Sequence, residues 1–401
     1  MKLKKLTSFT LAVSMLMTPL LVGAAPNEEE KAPKNKNEVN VNLEKGKYVK
    51  GEVIVKFKDN ISANAKNNVM KSLGVTVKEK DDPANSKFQV LKVGNVEAVV
   101  EALNKNPMVE YAEPNYVFSI TWTPNDTYYQ GYQYGPQNTS TNYAWDITKG
   151  SSSQEIAVID TGVDYTHPDL DAKVIKGYDF VDNDYDPMDL NDHGTHVAGT
   201  AAAETNNARG VAGMAPNTKI LAVRALDASG NGSLNDVADA IIYSADAGAE
   251  VINLSLGCDC DTQTLKDAVN YAWNKGSVIV AAAGNSGVST TFEPASYANV
   301  IAVGAIDRYD QLASFSNYGT WVDVVAPGVS IASTVRGNGY AYMSGTSMAS
   351  PHVAGLAALL ASQGRNNVQI RQAIEQTADS ISGTGLYFKY GKINSYDAVR
   401  Y

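Results

Sequence analysis

Three short stretches hold the residue types of nucleophilic catalysis, in the chain order Asp, His, Ser. They are Val158-Ile159-Asp160-Thr161-Gly162, His193-Gly194-Thr195-His196 and Gly345-Thr346-Ser347-Met348-Ala349-Ser350-Pro351. A serine hydroxyl is a weak nucleophile at neutral pH. It needs an imidazole to take its proton, and a carboxylate to orient that imidazole and stabilise its charged form. Asp160 closes an apolar run and precedes Thr161-Gly162, a tight exit. A strand-end Asp that serves only its turn is the plain alternative. The chain has four His, at 167, 193, 196 and 352, so candidates for a base are few, and His193 ranks first.

His193 and His196 lie three apart on a helical pattern and could instead hold a metal. Neither His-Glu-x-x-His nor a suitable cysteine set accompanies them, so His196 reads as a packed, hydrogen-bonded neighbour. Ser347 opens another helical pattern, where capping is a serine's commonest task. The same place aims partially positive backbone amides at a developing oxyanion. Asn285, in Ala281-Ala282-Ala283-Gly284-Asn285-Ser286-Gly287, offers a second donor after a strand. Small neighbours leave room there for substrate; a turn Asn is the alternative.

Such groups act together only if rigid elements converge on them. From Trp122 onward, apolar strands at 155–159, 219–225, 251–256, 278–283, 300–305 and 322–326 alternate with helical patterns at 193–203, 233–247, 262–275, 347–362 and 367–377. This predicts an α/β fold, a mainly parallel sheet covered by helices on both faces, with sites at the C-terminal strand ends. Residues 48–121 alternate strands at 52–57, 88–93 and 109–117 with helices at 63–73 and 96–103, and contain no His or Cys. That pattern predicts a small α+β unit apart from the chemistry. Residues 26–47, rich in Glu, Lys and Asn, read as a linker. Residues 1–25 run from a charged start through an apolar stretch to Gly23-Ala24-Ala25. They read as a cleavable secretory signal rather than an anchor, because Thr, Ser and Pro19 interrupt the run. No other stretch reaches the ~20 apolar residues of a membrane span. The expected product is secreted and extracellular, with no membrane contact after cleavage.

Charge is unevenly spread over the 401 residues: 1–121 carry 18 Lys and no Arg against 14 acids, and the remainder carries 15 basic residues against 29 acids. So acidic a main domain argues against nucleic acid as a partner and suits cation binding. Eight Asp fall between 169 and 192. Hard oxygens alternating along a loop are what Ca²⁺ takes, a solvated acidic loop being the alternative. Cys258-Asp259-Cys260 in an exported chain points to a disulfide closing a very small ring, with a metal-binding Cys-x-Cys as the other reading. Just past Gly257, such a ring would stiffen the adjoining strand.

The blocks Asp160-Thr161-Gly162, His193 to Gly199, and Gly345 to Gly355 resemble the active-site motifs of the subtilases. The wording of Tyr271 to Val278 and Ser382 to Gly385 is similar to the thermitase branch. The resemblance covers Trp122 to Tyr401, and residues 48–121 resemble the family's inhibitory propeptide, a ferredoxin-like unit. It implies a serine endopeptidase with Asp160, His193 and Ser347 as triad, Asn285 completing the oxyanion hole, and a zymogen that cuts itself near Ile120–Trp122. It also implies peptide substrates lying along Ser229-Gly230-Asn231 and Ser255-Leu256-Gly257, with Ala283 and Gly284 lining a pocket for a large uncharged side chain. Pairing through main chain implies broad specificity, and the family default is a monomer.

The resemblance further implies two or three structural calcium sites. One would use Asp126, Asp169, Asn207 and the backbone oxygens of Glu204, Arg209 and Val211. Another would use Asp179, Asp182, Asp184, Asp186 and the carbonyl of Met188. A weaker site, for Ca²⁺, Na⁺ or K⁺, would use the carbonyls of Ala295, Tyr297 and Val300 with Asp323.

Overall fold

The computed structural model describes residues 48–78, 87–116 and 122–401. The expected signal (1–25) and linker (26–47), and residues 120–121 of the expected cleavage region, lie outside the described residues. The chain divides into two compact units, one holding residues 48–116 and the other 122–401 of those described.

The first unit runs β1 (Tyr48–Phe57), α1 (Ala63–Ser72), β2 (Thr76–Val77), β3 (Gln89–Lys92), α2 (Val96–Asn104) and β4 (Val109–Tyr116). Its sheet has the order β2-β3-β1-β4 with antiparallel pairing throughout, which is the ferredoxin-like arrangement. Val53, Val55 and Phe57 alternate inward and pack with Leu91, Val100 and Leu103. Ser62 caps α1 by accepting Ala65 N–H at 3.3 Å, and Asn95 caps α2 by accepting Ala98 N–H at 2.8 Å. Each side-chain oxygen satisfies a helix donor that has no partner inside the helix.

The second unit begins with three short helices, α3 (Tyr129–Tyr132), α4 (Gly135–Asn138) and α5 (Thr141–Ala144). It continues with β5 (Glu155–Asp160), β6 (Val174–Asp179), α6 (His193–Ala202), β7 (Lys219–Arg224), α7 (Leu234–Ala247), β8 (Val251–Leu254), α8 (Gln263–Lys275) and β9 (Val278–Ala282). Then come β10 (Val300–Ile306), β11 (Val324–Pro327), β12 (Ile331–Val335), β13 (Gly339–Met343), α9 (Thr346–Ala361), α10 (Asn367–Gln376), β14 (Gly391–Lys392) and α11 (Ser395–Ala398). Eight strands form one parallel sheet in the order β14-β11-β10-β9-β8-β5-β7-β6. From β5 the chain builds outward to β6 and β7 on one side, then crosses to β8 on the other. Parallel sheets place their sites at such a reversal.

Alternation along β5 separates two cores. Ile156 and Val158 join the core beneath α6, α9 and α10, whereas Ala157 and Ile159 join the core beneath α7 and α8. Period two puts Asp160 on the α6/α9 face. The expected central strands are present, but β6 is an addition: Ile175 and Lys176 are exposed on this edge strand, so it lacks the apolar run that marks a buried one. The hairpin of β12 and β13 is likewise additional, turning on Gly337 (φ 70°) and Asn338 (φ 63°). Among the described residues, no helix is long and apolar enough to cross a membrane.

Leu254, the last residue of β8, is fully buried beneath α7 and α8. Leu254→Ala leaves a cavity and is expected to cost roughly 2–5 kcal/mol. Thermal denaturation followed by circular dichroism checks this, and an unchanged midpoint contradicts the packing described.

Candidate active site

Three neighbouring strands end level. Ile159 pairs with Leu254, and Leu254 with Ala281, so Asp160, Ser255 and the Ala283–Asn285 turn emerge along one edge. Asp160 is fully buried and His193 nearly so, and His193 Nδ1 lies 2.7 Å from Asp160 Oδ1. This contact assigns the proton to Nδ1 and leaves Nε2 as an acceptor. Burial pushes the imidazole toward its neutral form. The Asp160 charge and hydrogen bond, with a further contribution from Asp189, outweigh that and raise its pKa above the usual 6.5. Close approach of α6 to the β5 turn requires Gly194, where a Cβ would stand 2.0 Å from the Gly162 carbonyl oxygen.

His196 does not share this site. Its Nε2 bonds the Ile331 carbonyl at 2.9 Å, and burial drives its pKa down to about 3. It is a neutral packing residue. His352 bonds Met348 O at 2.8 Å, and His167 Nε2 bonds Gly339 O at 3.0 Å.

Ser347 sits in the first turn of α9, which starts at Thr346 with Gly345 ahead of it. Its hydroxyl donates to Ser255 O at 3.1 Å, and the Ser255 hydroxyl donates back to Ser347 O at 2.8 Å. Pro351 explains the second bond. A proline inside a helix has no N–H for the carbonyl four residues earlier, here that of Ser347, and Ser255 takes the vacated place. Asn253 extends the link, donating to Ser255 Oγ at 2.9 Å and accepting the Ser350 hydroxyl at 2.7 Å.

Asn285 is anchored by its oxygen. Oδ1 accepts Thr346 N–H at 2.8 Å and the Thr346 hydroxyl at 2.9 Å, which leaves its Nδ2 amide free to donate elsewhere. Asn317 holds the preceding turn, donating to Ala283 O at 2.9 Å and accepting Ser286 N–H at 3.0 Å. Gly284, at φ 96°, has no space for a Cβ, which would meet Asn317 Nδ2 at 2.5 Å.

The remaining site residues fall around this edge. Ser229, Gly230 and Asn231 form a turn closed on Asp227, whose Oδ1 accepts Ser229 N–H at 2.8 Å and Asn231 N–H at 3.0 Å. Ser255, Leu256 and Gly257 continue from β8, and Cys258 exchanges backbone hydrogen bonds with Glu293 at 2.8 and 2.9 Å. Cys258 and Cys260 are disulfide-bonded with Cα atoms 5.2 Å apart.

The expected cation ligands behave differently from one another. Asp126 and Asp169 are both buried; burial and the neighbouring Asp169 raise the Asp126 carboxyl above its usual range, against its backbone hydrogen bonds. Asn207 Nδ2 bonds Asp169 at 2.8 Å. The carbonyl oxygens of Glu204, Arg209 and Val211 accept no hydrogen bond among the described residues. Buried carboxylates beside open carbonyls fit a hard cation. The acidic loop is met by cations already: Arg224 Nη1 bonds Asp179 at 2.7 Å and Asp182 at 2.6 Å, and Lys176 bonds Asp186 at 3.1 Å. Asp184 Oδ1 instead accepts Asp186 N–H at 2.8 Å. Among the described residues, no three His, Cys, Asp or Glu side chains converge as metal ligands, in this loop or around Asp126 and Asp169; of the ligands expected here alongside the Met188 carbonyl, Asp179, Asp182 and Asp186 pair with basic side chains. Asp323 accepts Ala302 N–H at 3.0 Å and Arg371 at 3.3 Å, and Tyr297 O accepts Val300 N–H at 3.0 Å. Arg371 therefore supplies positive charge where the third site, with Ala295, was expected.

Sequence reasoning missed Asp189, Thr346 and Asn317, the residues that hold the others. Asp189 lies four residues before His193 in a run of Asp, and nothing in that run marks it out. Asp160→Asn removes the charge that holds the imidazole basic. Its protonation is expected to move to lower pH, followed by NMR of the His193 ring; an unmoved titration contradicts the pairing.

The subtilase family matches residues 151–392, and the fervidolysin N-terminal prodomain matches residues 34–115. The chain is 76% identical over 401 residues, the full length of both proteins, to a thermophilic serine proteinase of Bacillus sp. (strain AK1). It is 58% identical over 280 residues, 70% of this chain and all of the relative, to thermitase of Thermoactinomyces vulgaris. It is also 45% identical over 311 residues, 76% of this chain and 60% of the relative, to halolysin of Haloferax mediterranei. With those blocks matched across the sheet that carries the site, the chain belongs to the subtilase family, near the thermitase branch, and is a subtilisin-like serine endopeptidase with an N-terminal prodomain.

Proposed function

We propose that this protein is a secreted, calcium-stabilised endopeptidase of broad specificity, made as a zymogen that processes itself and acting through an acyl-enzyme on Ser347. The observation that carries the reading is the buried 2.7 Å contact between Asp160 and His193 at the level strand ends. With Nδ1–H bound to Asp160, Nε2 accepts the Ser347 proton as Oγ attacks the peptide carbonyl carbon. The carbonyl oxygen becomes the oxyanion, and two donors suit it: the Asn285 Nδ2 amide and the Ser347 N–H, which as a first-turn donor has no acceptor within its helix. Collapse breaks the C–N bond. His193 returns the proton to the leaving amine, and water then repeats the sequence on the ester. Loss of one such donor costs about 10²–10³ in kcat, a figure measured on the equivalent asparagine of a subtilisin.

Substrate backbone pairs with 229–231 and 255–257 as added strand, which reads main chain rather than side chains. The small residues at 281–284 leave room for a large uncharged side chain beside the cleaved bond. The Cys258–Cys260 ring stiffens the second of these segments. The prodomain inhibits until the 120–122 region is cut and it is degraded, leaving a monomer.

For calcium, Asp126, Asp169 and Asn207 with the Glu204, Arg209 and Val211 carbonyls are the residues that would hold the ion. A bound Ca²⁺ would neutralise two buried carboxylates and tie the segment before α3 to the loop after α6.

Ser347→Ala is expected to abolish peptide hydrolysis and labelling by a fluorophosphonate, and to leave the precursor uncut when expressed without other proteases. Labelling that persists in the variant sinks the assignment. Chelation with EGTA is expected to lower the melting temperature of fluorophosphonate-blocked enzyme, by the equivalent of about 2.7 kcal/mol relative to calcium at 100 times its Kd. Asp126→Asn/Asp169→Asn is expected to remove that dependence. A melting temperature indifferent to calcium in the parent enzyme overturns the site.

A further inference from the structure

Asp192 precedes α6 at φ 111° and gives that helix no side-chain cap. The cap comes from Asp189, whose carboxylate is 1% exposed. Its Oδ2 accepts Thr195 N–H at 3.0 Å and the Thr195 hydroxyl at 2.6 Å. Its Oδ1 accepts Asn191 N–H at 2.8 Å, and both oxygens lie 3.2 Å from Asp192 N. Oδ1 also accepts the Thr161 hydroxyl at 2.9 Å. Thr161 Oγ1 in turn accepts Gly194 N–H at 3.1 Å, and Thr161 N–H binds Asp160 Oδ1 at 2.7 Å. One buried carboxylate thus holds both the strand end that carries Asp160 and the helix start that carries His193. Every bond it receives comes from an uncharged donor, so its own charge is not cancelled by a contacting cation.

We propose that Asp189 is a positioning residue for the reaction: it fixes the spacing of Asp160 and His193 by bonding both of their elements, and its charge favours the imidazolium that forms as Ser347 attacks. The inference rests on the triad reading above. The charged and titratable groups around His193 are Asp160 and Asp189, His196 one turn along, and the Asp192–Arg336 ion pair at the helix start. Burial works against the charged ring, and both Asp160 and Asp189 work for it. A buried carboxylate at a helix N-terminus also meets the positive end of the helix dipole.

Three full-length variants, matured in trans by active parent enzyme, separate geometry from charge. Asp189→Asn removes both. Thr161→Val cuts the link to β5 and keeps the charge. Thr195→Val weakens the cap alone. Asp189→Asn is expected to lower kcat/KM by about 10- to 100-fold, mostly in kcat, the scale of losing charge-assisted hydrogen bonds. The acid limb of its pH profile moves to lower pH, because an imidazolium deprived of a nearby negative charge gives up its proton sooner. Thr161→Val lowers kcat with the acid limb unmoved, and Thr195→Val lowers melting temperature with the acid limb unmoved. A purely structural role gives Asp189→Asn a lower melting temperature with parental kcat and acid limb, which overturns the proposal. If Asp189→Asn does not fold, parental kcat in Thr161→Val overturns it. Failure of a fluorophosphonate to label Ser347 in the parent enzyme defeats the triad reading instead, whatever the variants do.

Discussion

The site depends on parallel register. Strands β9, β8 and β5 run side by side and stop at the same level, so three loops with no sequence proximity leave the sheet together. Alternation along β5 then decides which face receives Asp160. A slip of one residue would turn that carboxylate toward the α7/α8 core and strand it in apolar surroundings. Because the sheet is covered on both faces, its register is fixed by two hydrophobic cores at once, and the site inherits that rigidity. Helices α6 and α9 approach the same face and bring His193 and Ser347 with their first turns.

Burial raises the stakes of every polar group at this edge. A carboxylate or amide removed from water must recover its hydrogen bonds inside the protein or cost stability. Asp189, Asn253, Asn317 and Thr346 recover theirs from groups beside Asp160, His193, Asn285 and Ser347. Stability and positioning are therefore supplied by the same bonds. The Asn285 amide is oriented because its oxygen is held by Thr346, and the β5 exit is oriented because Thr161 is held by Asp189.

Much of this was legible beforehand. Apolar runs followed by Gly-rich exits marked Asp160 and Asn285, and a helical pattern beginning at His193 or Ser347 marked the two helix starts. The buried strands were legible because burial on both faces demands continuous apolar residues. β6 was not, since an edge strand is half exposed and its Ile175 and Lys176 face solvent, breaking the apolar run. The supporting residues were also hidden: Asp189 is one Asp among eight between 169 and 192, and only folding shows that Asp179 and Asp182 meet Arg224 while Asp189 meets Thr161 and Thr195. Acidity alone does not tell a cation ligand from an arginine partner or a helix cap.

Pro351 has a mechanical consequence. At one point the turn that bears Ser347 is fastened sideways to the end of β8 through Ser255, instead of lengthwise to its own helix. The start of α9 is thereby registered against the sheet. Pro351 leaves the Ser347 carbonyl without its partner along the helix axis, so this turn is held by one lengthwise bond fewer than the turns that follow. A displacement of the β8 end at Ser255 is transmitted to Ser347 through two hydrogen bonds.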